Sequence, residues 1–300
     1  MSVLEIGRST KEGLVLPRSY LYVPGDAPEK LHKALGRGAD ALIVDLEDAV
    51  APARKAEART VVTEWLKTLP AAGEQPVEIW VRINPGELGH EDVRAVVGPA
   101  LTGVMVAKTE SVAELETLDG LLNEVEEKAG LATGSVRVVP LLESANAVLR
   151  AQEIATGPRV VRLQVGEADL AADTGITPGE DERELAPIRT HIVLVSAAAR
   201  INPPVAPVST NFRDLDKLRQ STEALARQGF VGRACIHPAQ IAVANEVFTP
   251  DEASVAAARE VVNAFDAAMA EGRGVAVGPD GRMIDEAVVR NARRVLSLAR

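Results

Sequence analysis

Short β-branched runs alternate with longer amphipathic stretches along most of the chain, the pattern of parallel strands joined by crossover helices. The apolar runs predict strands over 19–23, 41–44, 78–83, 103–107, 136–142, 160–165, 204–208 and 233–236. The seventh is weak, because Pro204 and Pro207 cannot donate to a ladder. Between the runs the apolar period becomes that of a helix. A helix over 28–36 opens at Pro28 and closes at Gly36, the expected asymmetry. Over 52–69, Val61, Trp65 and Leu69 share one spacing of four, as do Val62 and Leu66. Over 111–128, Val112, Leu115, Leu118, Leu122 and Val125 form a stripe with acids on the other faces. A further helix is expected over 188–200.

Eight strand–helix units within about 250 residues predict an α/β fold of the (β/α)₈ TIM barrel type, with reactive groups at the carboxyl ends of the strands. Beyond Pro250 the chain turns helical over 251–271 and again over 283–300, with a Gly-rich link over 272–278. That tail exceeds what a barrel needs. The expected organisation is a barrel over 1–248 and a C-terminal helical extension over 249–300, able to cover a site or reach a neighbouring subunit.

Composition narrows the function classes. A hydrophobic fraction of 46% with 25% charged residues is ordinary for a globular protein and too apolar for disorder. A net charge of −10 with 3% aromatics offers neither the basic surface nor the stacking platforms of nucleic-acid binding. No apolar run reaches the ~18 residues of a membrane span, and the N-terminus lacks the layout of a secretory signal. A cytoplasmic protein without a membrane partner is expected. Cys235 stands alone, and His32, His90, His191 and His237 match no zinc-ligand spacing, so any metal is expected on oxygen ligands. Cys235 and His237 read as packed features of the last strand. Dinucleotide, P-loop, nucleophile-elbow and H-E-x-x-H patterns are absent.

Polar residues follow the strands directly. In a barrel Arg82, Lys108, Glu143 and Asp169 would project from successive strand ends onto one rim. Two carboxylates there give Mg²⁺ two of its ligands, with water and substrate oxygens completing the octahedron. A guanidinium beside them can fork onto a substrate carboxylate and steady negative charge building on a nearby oxygen. A lone acid after a strand is more often a helix N-cap than a ligand, and Asp26, Asp48 and Ser144 have that simpler reading. Three convergent charges at one mouth are costly to hold together without a ligand, which favours the functional reading for Glu143, Asp169 and Arg82 taken together.

The segments Arg18-Ser19-Tyr20-Leu21-Tyr22-Val23-Pro24-Gly25, Asp45-Leu46-Glu47-Asp48-Ala49-Val50, Val81-Arg82-Ile83-Asn84-Pro85, Leu142-Glu143-Ser144-Ala145, Gly166-Glu167-Ala168-Asp169-Leu170 and Ile236-His237-Pro238-Ala239-Gln240 occur in this order. In that order the chain resembles the citrate lyase β-subunit-like (CitE-like) family of the wider HpcH/HpaI aldolases, from Arg18 to Phe248 and on into 281–285. The resemblance implies a Mg²⁺-dependent carbon–carbon lyase that cleaves or forms a 3-hydroxyacyl-CoA thioester of the citryl-, malyl- or citramalyl-CoA type, through a metal-stabilised enolate. Its partners would be an acyl-CoA and a small 2-keto acid, in a homo-oligomer, trimer or hexamer.

By the same resemblance Glu143 and Asp169 are the metal ligands, and Arg82 meets substrate carboxylate and oxyanion. Glu47, with Asp48, orders water around the metal. Lys108 and Arg18 contact substrate, Arg18 near the CoA phosphates. Asp285 supplies an acid/base across a subunit interface, its simpler reading being an N-cap of the last helix. Relatives have Pro-Lys where this chain has Ala107-Lys108, and Lys where it has Arg233. After the seventh strand they carry an Asp and an aromatic stretch where this chain reads 204–212 as Pro-Val-Ala-Pro-Val-Ser-Thr-Asn-Phe. The acyl group accepted is therefore open, as are thioester hydrolysis and an aldolase reaction on free 2-keto acids without CoA.

Overall fold

A computed structural model describes residues 16–278 and 281–300. Most of the N-terminal stretch read above for a targeting signal lies outside them. The chain forms two compact units, one over Pro17–Asn245 and one built on Glu246–Arg300.

The larger unit alternates strand and helix from its start: β1 (Ser19–Pro24), α1 (Pro28–Ala34), β2 (Ala41–Asp45), α2 (Lys55–Leu66), β3 (Glu78–Ile83), α3 (Gly86–Val96), β4 (Gly103–Val106) and α4 (Val112–Lys128). It continues with β5 (Arg137–Leu142), α5 (Ala145–Leu149), α6 (Ala151–Ala155), β6 (Gln164–Val165), α7 (Glu167–Thr174), α8 (Ala186–Ala198), α9 (Leu215–Gln228), β7 (Arg233–Cys235) and α10 (Ala239–Val247). The strands pair in the order β6-β5-β4-β3-β2-β1-β7, all parallel. Single bridges from Gln164 to Val205 and from Ala206 to Arg233 join the two ends through the segment 204–208, which completes the (β/α)₈ circuit. Val205 N donates to Leu163 O at 2.9 Å, Ala206 N to Gly232 O at 2.9 Å, and Ala234 N to Ala206 O at 3.0 Å. The prolines on either side of these two residues prevent anything longer.

The strand expected over 160–165 is regular only at Gln164–Val165. The reason lies in the neighbouring strand. Val138 and Leu142 turn their polar groups toward it, with Val138 N bonded to Arg159 O, Val161 N to Val138 O, and Gly166 N to Leu142 O, each at 3.0 Å. Pro140 sits midway on the same side and has no N–H to give, so the ladder breaks there and resumes at Leu141–Gln164. The expected helix over 52–69 begins with a 3₁₀ turn at Pro52–Arg54 before α2.

Strand alternation sorts the apolar residues into two cores. One fills the barrel with Tyr20, Ala41, Ile43, Trp80, Met105, Val139, Leu141, Val205 and Ala234. The other lies between sheet and helices, where Leu42, Val44, Val81 and Val104 meet Leu115, Leu118 and Leu122 of α4. Full burial of such a side chain is worth about 1.5–3 kcal/mol. Large side chains fill the barrel interior, so chemistry is expected at its carboxyl-end mouth.

The C-terminal unit holds α11 (Glu252–Ala270), a hairpin of β8 (Ala276–Val277) and β9 (Met283–Ile284), and α12 (Glu286–Leu298). Phe265, Ala268, Ala276, Ile284 and Val289 form its core. The expected helix over 283–300 starts later, because Met283 and Ile284 pair with β8 and Asp285 caps the helix that follows.

Candidate functional site

Parallel strands carry their last residues to one rim. The ends of β2, β3, β4 and β5 bring Asp45, Glu47, Arg82, Lys108 and Glu143 there, and Asp169 stands in the first turn of α7. Asp45 and Arg82 are register partners across β2 and β3. Arg82 Nε and Nη2 donate to Asp45 Oδ1 and Oδ2 at 2.7 and 2.5 Å, and Nη1 lies 3.1 Å from Glu47 Oε2. The guanidinium also lies over the Tyr22 ring, 5.1 Å from its centroid. Burial works against the Arg82 charge, but the hydrogen bonds and charge of Asp45, with Tyr22 and Glu47, outweigh it and raise the pKa. The fork expected to hold a substrate carboxylate is thus taken by Asp45, a correction the register explains. What remains for a ligand is the outer edge of the guanidinium.

Asp45 also shapes the loop after β2, accepting from Glu47 N at 2.9 Å and Ala49 N at 3.1 Å. From α2, Lys55 Nζ binds the carbonyls of Leu46 and Glu47 at 2.9 Å each and Asn84 Oδ1 at 2.6 Å. Glu47 is therefore fixed through both backbone and side chain. Lys108 completes its surroundings. This residue turns the chain after β4 at φ 50°, a left-handed conformation that costs a non-glycine residue roughly 1–2 kcal/mol. The turn places Lys108 N 2.9 Å from Glu143 Oε2 and Nζ 2.6 Å from Glu47 Oε1. The bond to Glu47 holds the ammonium charged and raises its pKa.

Glu143 is buried, and burial pushes its carboxyl up to about 7, against the pull of the Lys108 N–H and the Arg82 charge. The charges of Asp169 and Glu47 push it further the same way. Gly166 makes room for it, since a Cβ there would stand 2.5 Å from Glu143 Cγ and 2.6 Å from Oε1. Asp169 is exposed on the rim beyond. Its neighbour Glu167 turns instead to Arg189, with Oε1 and Oε2 at 2.6 and 2.7 Å.

Among the described residues no group of three or more His, Cys, Asp or Glu is arranged to hold a metal ion. Mg²⁺ asks less of a protein, usually one or two carboxylates with water and substrate oxygens. A buried carboxylate whose proton affinity is raised by the charge of a second carboxylate beside it is a donor set that a divalent cation would relieve. The residues fit that ion.

The structure brings Glu47, Arg82, Lys108, Glu143 and Asp169 to one mouth and leaves Arg18 elsewhere. Arg18 precedes β1, so it lies at the opposite face, roughly 20 Å away at ~3.3 Å per strand residue. There its Nε and Nη2 bind Asp40 at 2.8 and 3.0 Å. The guanidinium expected near the CoA phosphates is thus engaged by Asp40, on the face opposite the charged mouth. Asp285 caps α12 in the C-terminal unit, with Oδ1 accepting from Ala287 N and Val288 N at 3.0 Å each. Ser144 is a cap as read, accepting from Ala147 N at 3.0 Å, whereas Asp26 pairs with Arg54 at 2.7 Å. Cys235 is packed, its thiol pushed up to about 12 by burial. His237 is exposed and stacked on Phe212, contrary to the packed reading.

Sequence reasoning missed Asp45, Gly166, Tyr22 and Gln164. Gln164 is buried and points into the barrel beneath the acids, where it meets the Tyr22 hydroxyl while its Oε1 has no partner. Its signal was alternation, because Leu163 and Val165 face the helices and so turn Gln164 inward.

Residues 18–238 match the model of a family described as HpcH/HpaI aldolase/citrate lyase. Over 287 residues the chain is 32% identical to citrate lyase subunit beta of Leuconostoc mesenteroides subsp. cremoris, covering 95% of this chain and 93% of that protein. Over 286 residues it is 35% identical to (3S)-malyl-CoA thioesterase of Cereibacter sphaeroides, covering 94% of each. Its fold is similar to the crystal structure of protein CitE from Mycobacterium tuberculosis in complex with magnesium, acetoacetate and coenzyme A. The TM-score is 0.71, with 31% identity over 94% of this chain and 97% of that one. Among the described residues no helix is long and apolar enough to cross a membrane.

Proposed function

The chain belongs to the HpcH/HpaI aldolase/citrate lyase family, and from that premise we propose that it is a cytoplasmic Mg²⁺-dependent carbon–carbon lyase acting on a 3-hydroxyacyl-CoA thioester of the citryl-, malyl- or citramalyl-CoA type. The observation that carries this reading is the pair Glu143 and Asp169, mutually repelling at the barrel mouth beside Arg82. In this reading Glu143 and Asp169 hold the metal. When bound, Mg²⁺ supplies a Lewis acid for the hydroxy or keto oxygen of the small acid.

The chain's own groups do the rest. Lys108, with 41% of its side chain exposed, faces the substrate carboxylate while its N–H steadies Glu143. Arg82, locked by Asp45 and Glu47, offers its outer N–H edge to the oxygen that gains charge. Glu47 fixes both cations and orders water at the mouth. In cleavage the substrate hydroxyl gives up its proton and becomes a carbonyl as the carbon–carbon bond breaks. The bonding electrons pass to the thioester as an enolate, whose carbon takes a proton. Condensation is the reverse. Asp285, delivered by a neighbouring copy in a trimer or hexamer, gives or takes that proton. The cap it forms uses only Oδ1.

A thioesterase relative at 35% identity favours a second outcome on the same site, in which water attacks the thioester and CoA leaves. Acyl-CoAs and 2-keto acids incubated pairwise with and without Mg²⁺, and read by mass spectrometry, test the reading. A 3-hydroxyacyl-CoA formed only with both substrates and Mg²⁺ is the expected result, and free CoA released from it marks hydrolysis. Conversion of keto acids indifferent to any thioester would contradict the CoA reading.

The raised carboxyl of Glu143 has a pH consequence. Below about pH 7 Glu143 carries a proton that a cation must displace. Mg²⁺ affinity, followed by calorimetry, is expected to fall by about tenfold per pH unit below that point and to level off above it. A flat profile from pH 5 to 8 would remove Glu143 from the ligand set.

A further inference from the structure

The barrel mouth is divided by charge. From β2 round to β6 each strand end delivers acidic or basic side chains, Asp45 and Glu47, Arg82, Lys108, Glu143 and then Asp169. The remaining arc is different. The segment 204–208 runs parallel between β6 and β7, so the residues after it emerge at the same mouth next to Gly166 and Asp169. They lead to Phe212, and β7 beside them leads to Ile236 and His237. Phe212 is 38% exposed and Ile236 41%. Large apolar side chains left open at one edge of a charged mouth suit the apolar part of a ligand whose polar part is bound opposite.

This edge is built rather than incidental. The Phe212 and His237 rings stack with centroids 4.7 Å apart and planes 20° from parallel. Arg213 lies over Phe212, 5.8 Å from the ring centroid. Gln240, fully buried, ties the two loops together: Nε2 donates to Ser209 O at 2.9 Å, while Oε1 accepts from Ile236 N at 2.8 Å and His237 N at 3.2 Å. Ala239 N donates to His237 Nδ1 at 3.2 Å, which fixes the imidazole in its plane. Asp26, the charged residue after β1, is drawn away to Arg54.

We propose that Phe212, braced by His237, is the residue that limits the length of the acyl group the site accepts. The 2-keto acid takes the charged arc and the acyl chain lies against the Phe212 ring. Gln240 is a positioning residue for this wall. The proposal rests on the CoA-thioester reading above and adds the identity of the wall.

The test compares acetyl-CoA, butyryl-CoA and succinyl-CoA as condensation partners of one keto acid, in the wild-type protein, Phe212→Leu, Phe212→Ala and His237→Ala. The wild type is expected to prefer acetyl-CoA. Phe212→Ala should raise the butyryl-to-acetyl ratio of kcat/KM by about tenfold or more, the worth of one or more methylenes in an apolar pocket. Phe212→Leu should fall between, and His237→Ala should move the ratio the same way. The keto-acid KM and Mg²⁺ affinity should stay within about twofold, since the charged arc is untouched. An unchanged ratio, or an equal loss on all three thioesters, would overturn the role of Phe212 while leaving the lyase reading intact. A wild-type protein that takes butyryl-CoA as readily as acetyl-CoA would overturn the length limit. If the wild type turns over no thioester at all, the CoA reading falls and this proposal with it.

Discussion

Replacing Arg82 with lysine is expected to lower turnover by about 10²–10³-fold, the usual cost of one preorganised oxyanion donor. The positive charge survives the change, so the loss isolates geometry. Arginine presents a planar fork whose Nε and Nη2 meet both oxygens of Asp45 while Nη1 reaches Glu47. An ammonium is a single point of charge and cannot span both carboxylates. Asp45 would lose one of its charge-assisted bonds in a nearly dry setting, with only 3% of its side chain exposed. The loss should appear in kcat, with thioester KM moving by no more than a few-fold, because the outer guanidinium edge serves charge that develops during the reaction. Turnover within about fivefold of the wild type would show that Arg82 only braces the loop after β2.

Gly166→Ala carries the second large effect. Gly166 has φ −87°, open to any L residue, so the backbone does not forbid the change. The side chain does, because its Cβ would stand 2.5 Å from Glu143 Cγ and 2.6 Å from Oε1. The carboxylate has to swing away. Its bond to Lys108 N, 2.9 Å long, is the contact most exposed to that swing. Mg²⁺ affinity is expected to fall by about 10–100-fold, in the range typical of disturbing the support of a metal ligand. Far-ultraviolet circular dichroism and melting should stay close to the wild type, since the displaced group lies at the rim and not in either apolar core. An unchanged Mg²⁺ affinity would mean that Glu143 ligates from a different rotamer or does not ligate.

Much of this site was legible before any coordinates. Alternating strand and helix patterns give the barrel, and barrel polarity then gathers every strand-terminal charge at one mouth. The same polarity places Arg18 correctly if applied consistently, since a residue before a parallel strand belongs to the opposite face; the motif around it points to family membership and says nothing of which end. Asp45 was hidden because its part depends on register: only when β2 and β3 are aligned does it stand beside Arg82 and fill the guanidinium fork. Gly166 was hidden for a related reason, as its lack of a side chain matters only once Glu143 is seen to occupy that space. The interruption of the strand over 160–165 follows from Pro140 on the neighbouring strand, so no inspection of 160–165 alone could find it. The pairing of Phe212 with His237 joins loops from two different strands, and Gln240 holds them at a distance that spacing along the chain does not encode.

Glu143 and Asp169 together are expected to hold one divalent cation at the mouth of the barrel. Titrating Mg²⁺ into the wild-type protein, Glu143→Gln and Asp169→Asn by isothermal calorimetry at pH 8 tests it most directly. One site per chain in the wild type, lost or weakened by at least tenfold in each variant while all three proteins remain folded, is the predicted result. Equal Mg²⁺ binding in all three would place the cation elsewhere and remove both carboxylates from the ligand set.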